Sequence, residues 1–399
     1  MCGTLTKVSQ VAIVGMGVRS CFGRGADALL DGLIAGRPAF VRYAPFVAAG
    51  LRAPFAAPVD DGTLRAGVGQ WDDRCTALLE GAVRDALEDA TGERQLEGLG
   101  AIAPQRVGLV VGTSSSGIGP FCHAIATGVT PERNDARYGA PTRDVGALLG
   151  VQGPLLTVCN VCASGSMAIA EAARMVHRGQ CDVVVAVGAD ALEPFVGAGF
   201  DSLGALTERP LPFALDRRGL TLGEGAAAVV LANVGVLGSR VHARIAGWGA
   251  SSDAHHLTAP DPRGGGVALA IRRALSRAGI SADRIDAVHA HATGTPFNDA
   301  MECAALRDVF GERARTLPVY GIKGTIGHTL GAAGAIESVA SVAAMARGLI
   351  PPTVTSESLD PACDVGVVRA VSRDMPVHFT LKLSSAFGGA NCALVICDA

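Results

Sequence analysis

A chain of 399 residues that is 49% hydrophobic and 18% charged is too apolar for a disordered protein, and long enough to bury about 75% of its unfolded surface without a disulfide or metal. A formal net charge of −3 weighs against a basic nucleic-acid binder, which would carry a strong positive excess. No apolar run reaches the roughly 18 residues that span a bilayer. Of 34 basic residues only Lys7, Lys323 and Lys382 are lysine, so each survives a strong bias toward arginine. The eleven cysteines are irregularly spaced, and the opening MCGTLTKVSQ lacks the apolar stretch of a secretory signal. A cytoplasmic protein with free thiols is expected.

In chain order, VAIVGMG (11–17) is an apolar run of strand length. Residues 25–36 read as a helix closing at Gly36, and the Pro- and Ala-rich stretch 38–62 as irregular surface. Residues 75–91 carry Leu78, Leu79, Ala82, Val83, Ala86 and Leu87 at helical spacing. VGLVVGT (107–113) predicts a buried strand. LLTVCNV (155–161) is an apolar run leading into CASGSMAIAEAARMVHRG (162–179), which is helical in period and stops at Gly179. CDVVVAVGAD (181–190) and GEGAAAVVLANV (223–234) predict further strands.

The pattern then restarts. HARIAGWGAS (242–251) is a strand, 265–279 a helix and IDAVHAHAT (285–293) a strand entering a loop. Residues 298–310 are a helix, LPVYGI (317–322) a short strand, 331–348 a long small-residue helix and CALVIC (392–397) a closing strand. Apolar strands alternating with helices predict an α/β fold with sheets covered on both faces. The alternation occurs twice, before and after about residue 240, although no motif repeats in the letters.

Cys162 closes an apolar run and opens a helix through the small-residue turn NVCASG (160–165). A thiol there feels the positive end of the helix dipole, which favours thiolate, so its pKa is expected to be depressed. The strand–turn–helix arrangement is that of a nucleophile elbow with Cys in place of Ser. The alternative is an ordinary small buried cysteine. Cys159 and Cys162 also form C-x-x-C, but a zinc site needs a second pair at ligand spacing, and none is present. His291 begins HATGTP (291–296) at a strand end, where α/β sheets bind ligands. His328 closes KGTIGH (323–328) at another strand-to-helix junction. A thiol with two such histidines has the parts of nucleophilic acyl transfer.

These segments resemble the β-ketoacyl synthases, the condensing enzymes of fatty acid and polyketide synthesis. NVCASG resembles the family's T-A-C-A-S/T-G, and HATGT (291–295), continued by Asn298, Asp299 and Glu302, resembles H-G-T-G-T. KGTIGH with GAAG (331–334) resembles K-S-x-x-G-H with G-A-A-G. AFGGAN (386–391) resembles G-F-G-G-T-N, SDAHHLTAP (252–260) resembles S-D-A-x-H-x-T-A-P, and PFALDRRGLTLGEG (212–225) resembles P-F-D-x-x-R-D-G-x-x-x-G-E-G. The motifs stand in family order along nearly the whole chain, and the Cys–His–His set is that of the elongating type.

The resemblance implies a thiolase-like five-layer α-β-α-β-α fold of two similar halves: 1–240 with the nucleophile, 241–399 with both histidines and a Phe gate loop. It implies decarboxylative condensation of a Cys162-bound acyl chain with malonyl-acyl carrier protein. His291 and His328 would hold the enolate charge, and Lys323, with Glu337 nearby, would position His328. The backbone of Cys162 and Phe387 would form the oxyanion hole, Phe387 would act as a gate, and Thr293, Thr295, Gly388 and Gly389 would meet substrate. No cofactor is implied beyond the carrier's phosphopantetheine. The partners are acyl carrier protein and a second subunit, in a homodimer or a heterodimer. Two other readings are a non-elongating chain-length-factor subunit and an acyltransferase that uses the same Cys without decarboxylation. Relative to the family, HAT replaces HGT, KG replaces KS and AFGGAN replaces GFGGTN.

Overall fold

The computed structural model describes residues 11–60, 73–128, 137–238 and 240–399. The N-terminal part has strands β1 (Val11–Ser20), β2 (Val107–Gly112), β3 (Leu155–Val158), β4 (Val183–Asp190) and β5 (Gly225–Asn233). Among its helices are α1 (Arg74–Thr91), α2 (Ala140–Leu149), α3 (Ser164–His177) and α4 (Pro194–Ser202). The C-terminal part has β6 (Ala243–Ser252), β7 (Ala287–His289), β8 (Pro318–Tyr320), β9 (Phe379–Ser385) and β10 (Ala390–Cys397), with helices α5 (Gly265–Ala278), α6 (Pro296–Phe310) and α7 (Ala333–Ala346).

The hydrogen-bonded order is β3-β2-β4-β5-β1 in the first part and β8-β7-β9-β10-β6 in the second. Both read third, second, fourth, fifth, first. In each, the first two pairings are parallel and the last two antiparallel. The parts meet where β1 pairs β6 at only two positions, Ala12–Arg244 and Ile13–Ala243. The duplication is thus present in topology, although no letters repeat.

Burial explains the layering. The strands are apolar on both faces, so both need cover. Alternate residues of β4 and β5 face α1 in one apolar core with Leu78, Leu79 and Val83. The other set faces α3 and α7 in a central core with Ile169, Val176, Ile336 and Val339. A third core joins α5 and α6 to Leu381, Leu383 and Val395. The central core also takes in Leu394 and Ile396 of β10, in the second part, so α3 and α7 fill the middle of five layers, α-β-α-β-α. The starts of α3 and α7 meet at backbone distance: a Cβ on Gly334 would lie 2.3 Å from the Ser166 nitrogen. That contact accounts for the small residues in both NVCASG and GAAG.

Two expectations change. The stretch 38–60 is not irregular surface: it holds the short strands Val41–Arg42 and Phe55–Ala57 and a helix, Ala44–Ala48, whose Phe46 is fully buried. The apolar run at 155–161 is a strand only to Val158, and it is the outer strand of its sheet. Helices Ile118–Thr127, α2 and α4 and strand β9 were not expected from the sequence. Among the described residues no helix is long and apolar enough to cross a membrane.

Candidate active site

Cys162 lies in the 3-10 turn Val161–Ala163, directly before α3. Val161 has φ +50, a conformation that β-branched residues avoid. Ser164 fastens the turn: its Oγ accepts from the Asn160 N–H (2.8 Å) and donates to the Val161 carbonyl (2.6 Å). His291 follows β7 in a loop held by two carboxylates of α6. Glu302 accepts the N–H groups of His291 (2.5 Å) and Ala292 (2.9 Å), and Asp299 accepts those of Gly294 (3.2 Å) and Phe213 (2.8 Å). Ala292 sits at φ +43 and Leu330, beyond His328, at φ +53. Each member of the trio therefore has a strained backbone neighbour, and such strain persists only where surrounding structure over-determines it.

The topology brings the three together. Cys162 Sγ and one ring nitrogen of each imidazole lie within 4.8 Å of one another, and the rings meet edge to face at 5.3 Å. All three are buried, Cys162 being 5% exposed. They line a cavity of about 320 Å³ whose solvent-facing lining includes Leu203, Arg218 and Phe297. Thr293 and Thr295 also line it, with their hydroxyls 2.9 Å apart.

The hydrogen bonds fix the proton on each imidazole. Lys323 Nζ lies 3.3 Å from His291 Nδ1 and donates to the His291 carbonyl at 2.6 Å. An ammonium can only donate, so Nδ1 of His291 accepts and Nε2 carries the hydrogen. His328 Nδ1 accepts from the Leu330 N–H (3.3 Å), and its Nε2 has no protein partner. Burial holds both rings neutral, His328 falling to about 3 and His291 well below its ordinary value. Two N–H donors thus stand beside a thiol. This tautomer pair also argues against a metal on the trio, since each Nε2 lone pair is occupied by a proton.

Two sequence expectations need correction. Lys323 was expected to position His328; its hydrogen bonds go instead to His291 and Glu337. It opens the short helix Lys323–Ile326, while Gly327, at φ +75, turns the chain before His328. Cys162 was expected to have a depressed pKa. Burial pushes it up to about 12, opposed by Lys323 and by the residue's own amide. Desolvation outweighs the helix end because water is excluded from the thiol.

Phe387 is half-buried, stacked on Phe200 of α4 with ring centroids 5.9 Å apart. Gly388 and Gly389 have φ +78 and +77, left-handed values that suit glycine. They tie the loop to the 252–260 segment: the Gly388 N–H donates to Leu257 O (2.7 Å), and Asp253 N–H to Gly389 O (2.9 Å).

Asp190 was missed. At the end of β4 its carboxylate accepts from Thr113 Oγ1 (2.7 Å), the N–H groups of Ser114 (2.8 Å) and Ser115 (2.9 Å), and, across the halves, the N–H of Gly331 (2.6 Å). It clamps the start of the second half's central helix beside the first half's. The signal was an acid closing the apolar run of CDVVVAVGAD.

Comparisons with known proteins agree with this arrangement. The family description "Beta-ketoacyl synthase, N-terminal domain" matches residues 8–234, and "Beta-ketoacyl synthase, C-terminal domain" matches 242–357. The chain is 34% identical to the tetracenomycin polyketide synthase ketoacyl synthase alpha subunit of Streptomyces glaucescens, over 97% of this chain and 96% of that protein. It is 31% identical to the 3-oxoacyl-(acyl-carrier-protein) synthase 2 of Coxiella burnetii, over 97% and 98%. Among solved structures, the ishigamide ketosynthase/chain length factor superposes with a TM-score of 0.88 at 31% identity, covering 98% and 99%. A β-ketoacyl synthase from Burkholderia phymatum gives 0.87 at 30%, with the same coverage.

Proposed function

Given that this chain belongs to the β-ketoacyl synthase family, with its thiolase-like fold and acyltransferase chemistry, we propose that Cys162, His291 and His328 carry out decarboxylative condensation. The observation that carries the reading is the meeting of one thiol and two neutral N–H donors within 4.8 Å. Cys162 Sγ attacks an acyl thioester, and the carrier thiol leaves with the proton. A malonyl thioester then enters. Its bond to the carboxylate breaks, CO₂ departs, and the electron pair moves onto the thioester oxygen as an enolate. His291 and His328 donate to that oxygen through Nε2–H. Fixed donors aimed at developing charge are the largest single source of rate in such sites. The carbanion attacks the acyl group on Cys162, the thiolate leaves, and a β-ketoacyl thioester results. Amide N–H groups of Cys162 and Phe387 are the proposed donors to the tetrahedral oxyanion. Lys323 supports His291, Glu337 supports Lys323, and Thr293, Thr295, Gly388 and Gly389 meet the incoming arm.

The substrates are proposed to arrive on the phosphopantetheine of acyl carrier protein, with no further cofactor, in the cytoplasm. A solved relative at 24% identity is described as a ketosynthase with its acyl carrier protein, and another, at 27%, as a ketosynthase with its chain length factor. A second subunit has a face to cover. Leu155 and Leu156 of the outer strand β3 are 39% and 38% exposed, and the helix Ile118–Thr127 has no buried residue, leaving Phe121 and Ile125 exposed. The proposed division at residue 240 assigns the nucleophile to one half and both donors to the other. Intact mass after incubation with acyl-carrier thioesters of graded length tests loading of Cys162 and finds the chain it accepts. CO₂ release from malonyl carrier tests the second half-reaction, and a chain that loads but never releases CO₂ would be an acyltransferase.

A further inference from the structure

Both described lysines are buried side chains on one carboxylate. Lys382 is 0% and Lys323 1% exposed. Lys382 lies mid-strand in β9, between partners on both sides: Leu394 of β10 and His289 of β7. Its neighbours Leu381 and Leu383 point into the outer core, so Lys382 points the other way, toward the layer of α3 and α7. There its Nζ lies 2.7 Å from Glu337 Oε2, while Lys323 Nζ pairs with Glu337 Oε1. Lys382 also donates to Leu383 O (2.8 Å) and to Ser384 Oγ, which bonds Ser166 Oγ of α3 at 3.0 Å. A chain of polar contacts thus runs from the nucleophile's helix through Ser384, Lys382, Glu337 and Lys323 to His291.

A buried ion pair needs one cation, and a second ammonium in the interior is costly unless something uses it. With one carboxylate and two ammonium groups the cluster carries +1, and the nearby rings of His289, His291 and His328 are neutral. Without Lys382, Glu337 would cancel the field of Lys323 at the trio. With it, Glu337 is shared, and the Lys323–Glu337–Lys382 cluster keeps one net positive charge beside the trio.

We propose that Lys382 is a positioning residue of the condensing site, sharing Glu337 with Lys323 so that one buried positive charge remains to favour the anions of the reaction. The reaction itself rests on the function proposed above. The groups facing Lys382 are Glu337, Lys323, His289 and Cys392; those acting on Cys162 are Lys323, Asp190 and Glu337, with both site imidazoles adjacent.

The test uses the whole protein and two readouts, iodoacetamide alkylation of Cys162 at fixed pH and CO₂ release from malonyl carrier. Lys382→Met is expected to slow both about tenfold, below the roughly 10²–10³ of losing a direct donor, with KM for malonyl carrier within twofold. Adding Glu337→Gln returns the cluster to +1 and is expected to recover alkylation. Should Lys382→Met not fold, the double variant, which has no excess buried carboxylate, is compared directly with wild type. Unchanged alkylation in Lys382→Met, or a folded double variant that stays slow, overturns the proposal. A wild-type protein that alkylates as expected but releases no CO₂ overturns the function and leaves the charge argument standing.

Discussion

The methyl group of Ala292 occupies the space that a side chain on Gly321 would need: a Cβ on Gly321 would lie 2.3 Å from Ala292 Cβ. Ala292 is the residue by which HAT departs from HGT, and it holds φ +43. Gly321→Ala alone is expected to overpack the site by about 1–3 kcal/mol. Made together with Ala292→Gly, which also relieves roughly 1 kcal/mol of left-handed strain, it should be close to neutral. Urea midpoints of the four proteins check this; additive effects would mean the two residues do not compete.

Cys162 is held as a neutral thiol, so its reactivity should climb with pH. With its pKa raised to about 12, the thiolate fraction grows tenfold per unit throughout the accessible range. Iodoacetamide should therefore label Cys162 with no plateau below about pH 9. Cys159, which is exposed, should label first in the free protein. A plateau near neutral pH, read by peptide mass, would show that the helix end governs the thiol after all.

Replacing either donor should separate the half-reactions. His291→Ala and His328→Ala are expected to load acyl groups to some degree while losing about 10²–10³ in CO₂ release. Undiminished release in both variants contradicts the assigned role.

The three buried imidazoles also predict an acid-sensitive fold. His289 and His328 fall to about 3, and His291 is lowered too. Between that range and about 6.5 the unfolded chain binds protons that the folded chain refuses. Stability should therefore be full above about pH 6.5 and decline as pH falls toward 4. Urea midpoints flat from about pH 7 to 4 would contradict it.

Phe387 should swing when Cys162 carries an acyl chain. Its only described ring partner is Phe200, and two left-handed glycines follow it. Phe387→Ala should keep the fold and spoil condensation more than loading. Crystals with and without an acyl group decide the point, and an identical, well-ordered loop in both leaves the gate unsupported.

The strands and helices of high apolar content are readable from the letters, because burial on both faces writes itself as Val, Leu and Ala. Helices Ile118–Thr127 and α4 escaped because neither fully buries a large side chain: the first buries nothing and the second only Gly197. The trio was readable because each member opens or closes an element. Its partners were less so. Lys382 sits inside β9, a strand that was itself not expected, and only the scarcity of lysine marked it. The direction of the Cys162 shift was misread since a helix end is visible locally, whereas desolvation depends on segments distant in sequence, among them those carrying His291 and His328.

The repeat that builds the molecule is lopsided at its centre. By strand order, α3 and α7 are counterparts, and Cys162 stands two residues before one as Gly331 stands two before the other. A Cβ on Gly331 would come within 2.6 Å of Asp190 Oδ2, so this counterpart position can hold no nucleophile at all. One copy of the motif has become a reagent and the other its wall. The proposed trio therefore draws its thiol from one half and both imidazoles from the other, and a doubled version of either half would lack one kind of group.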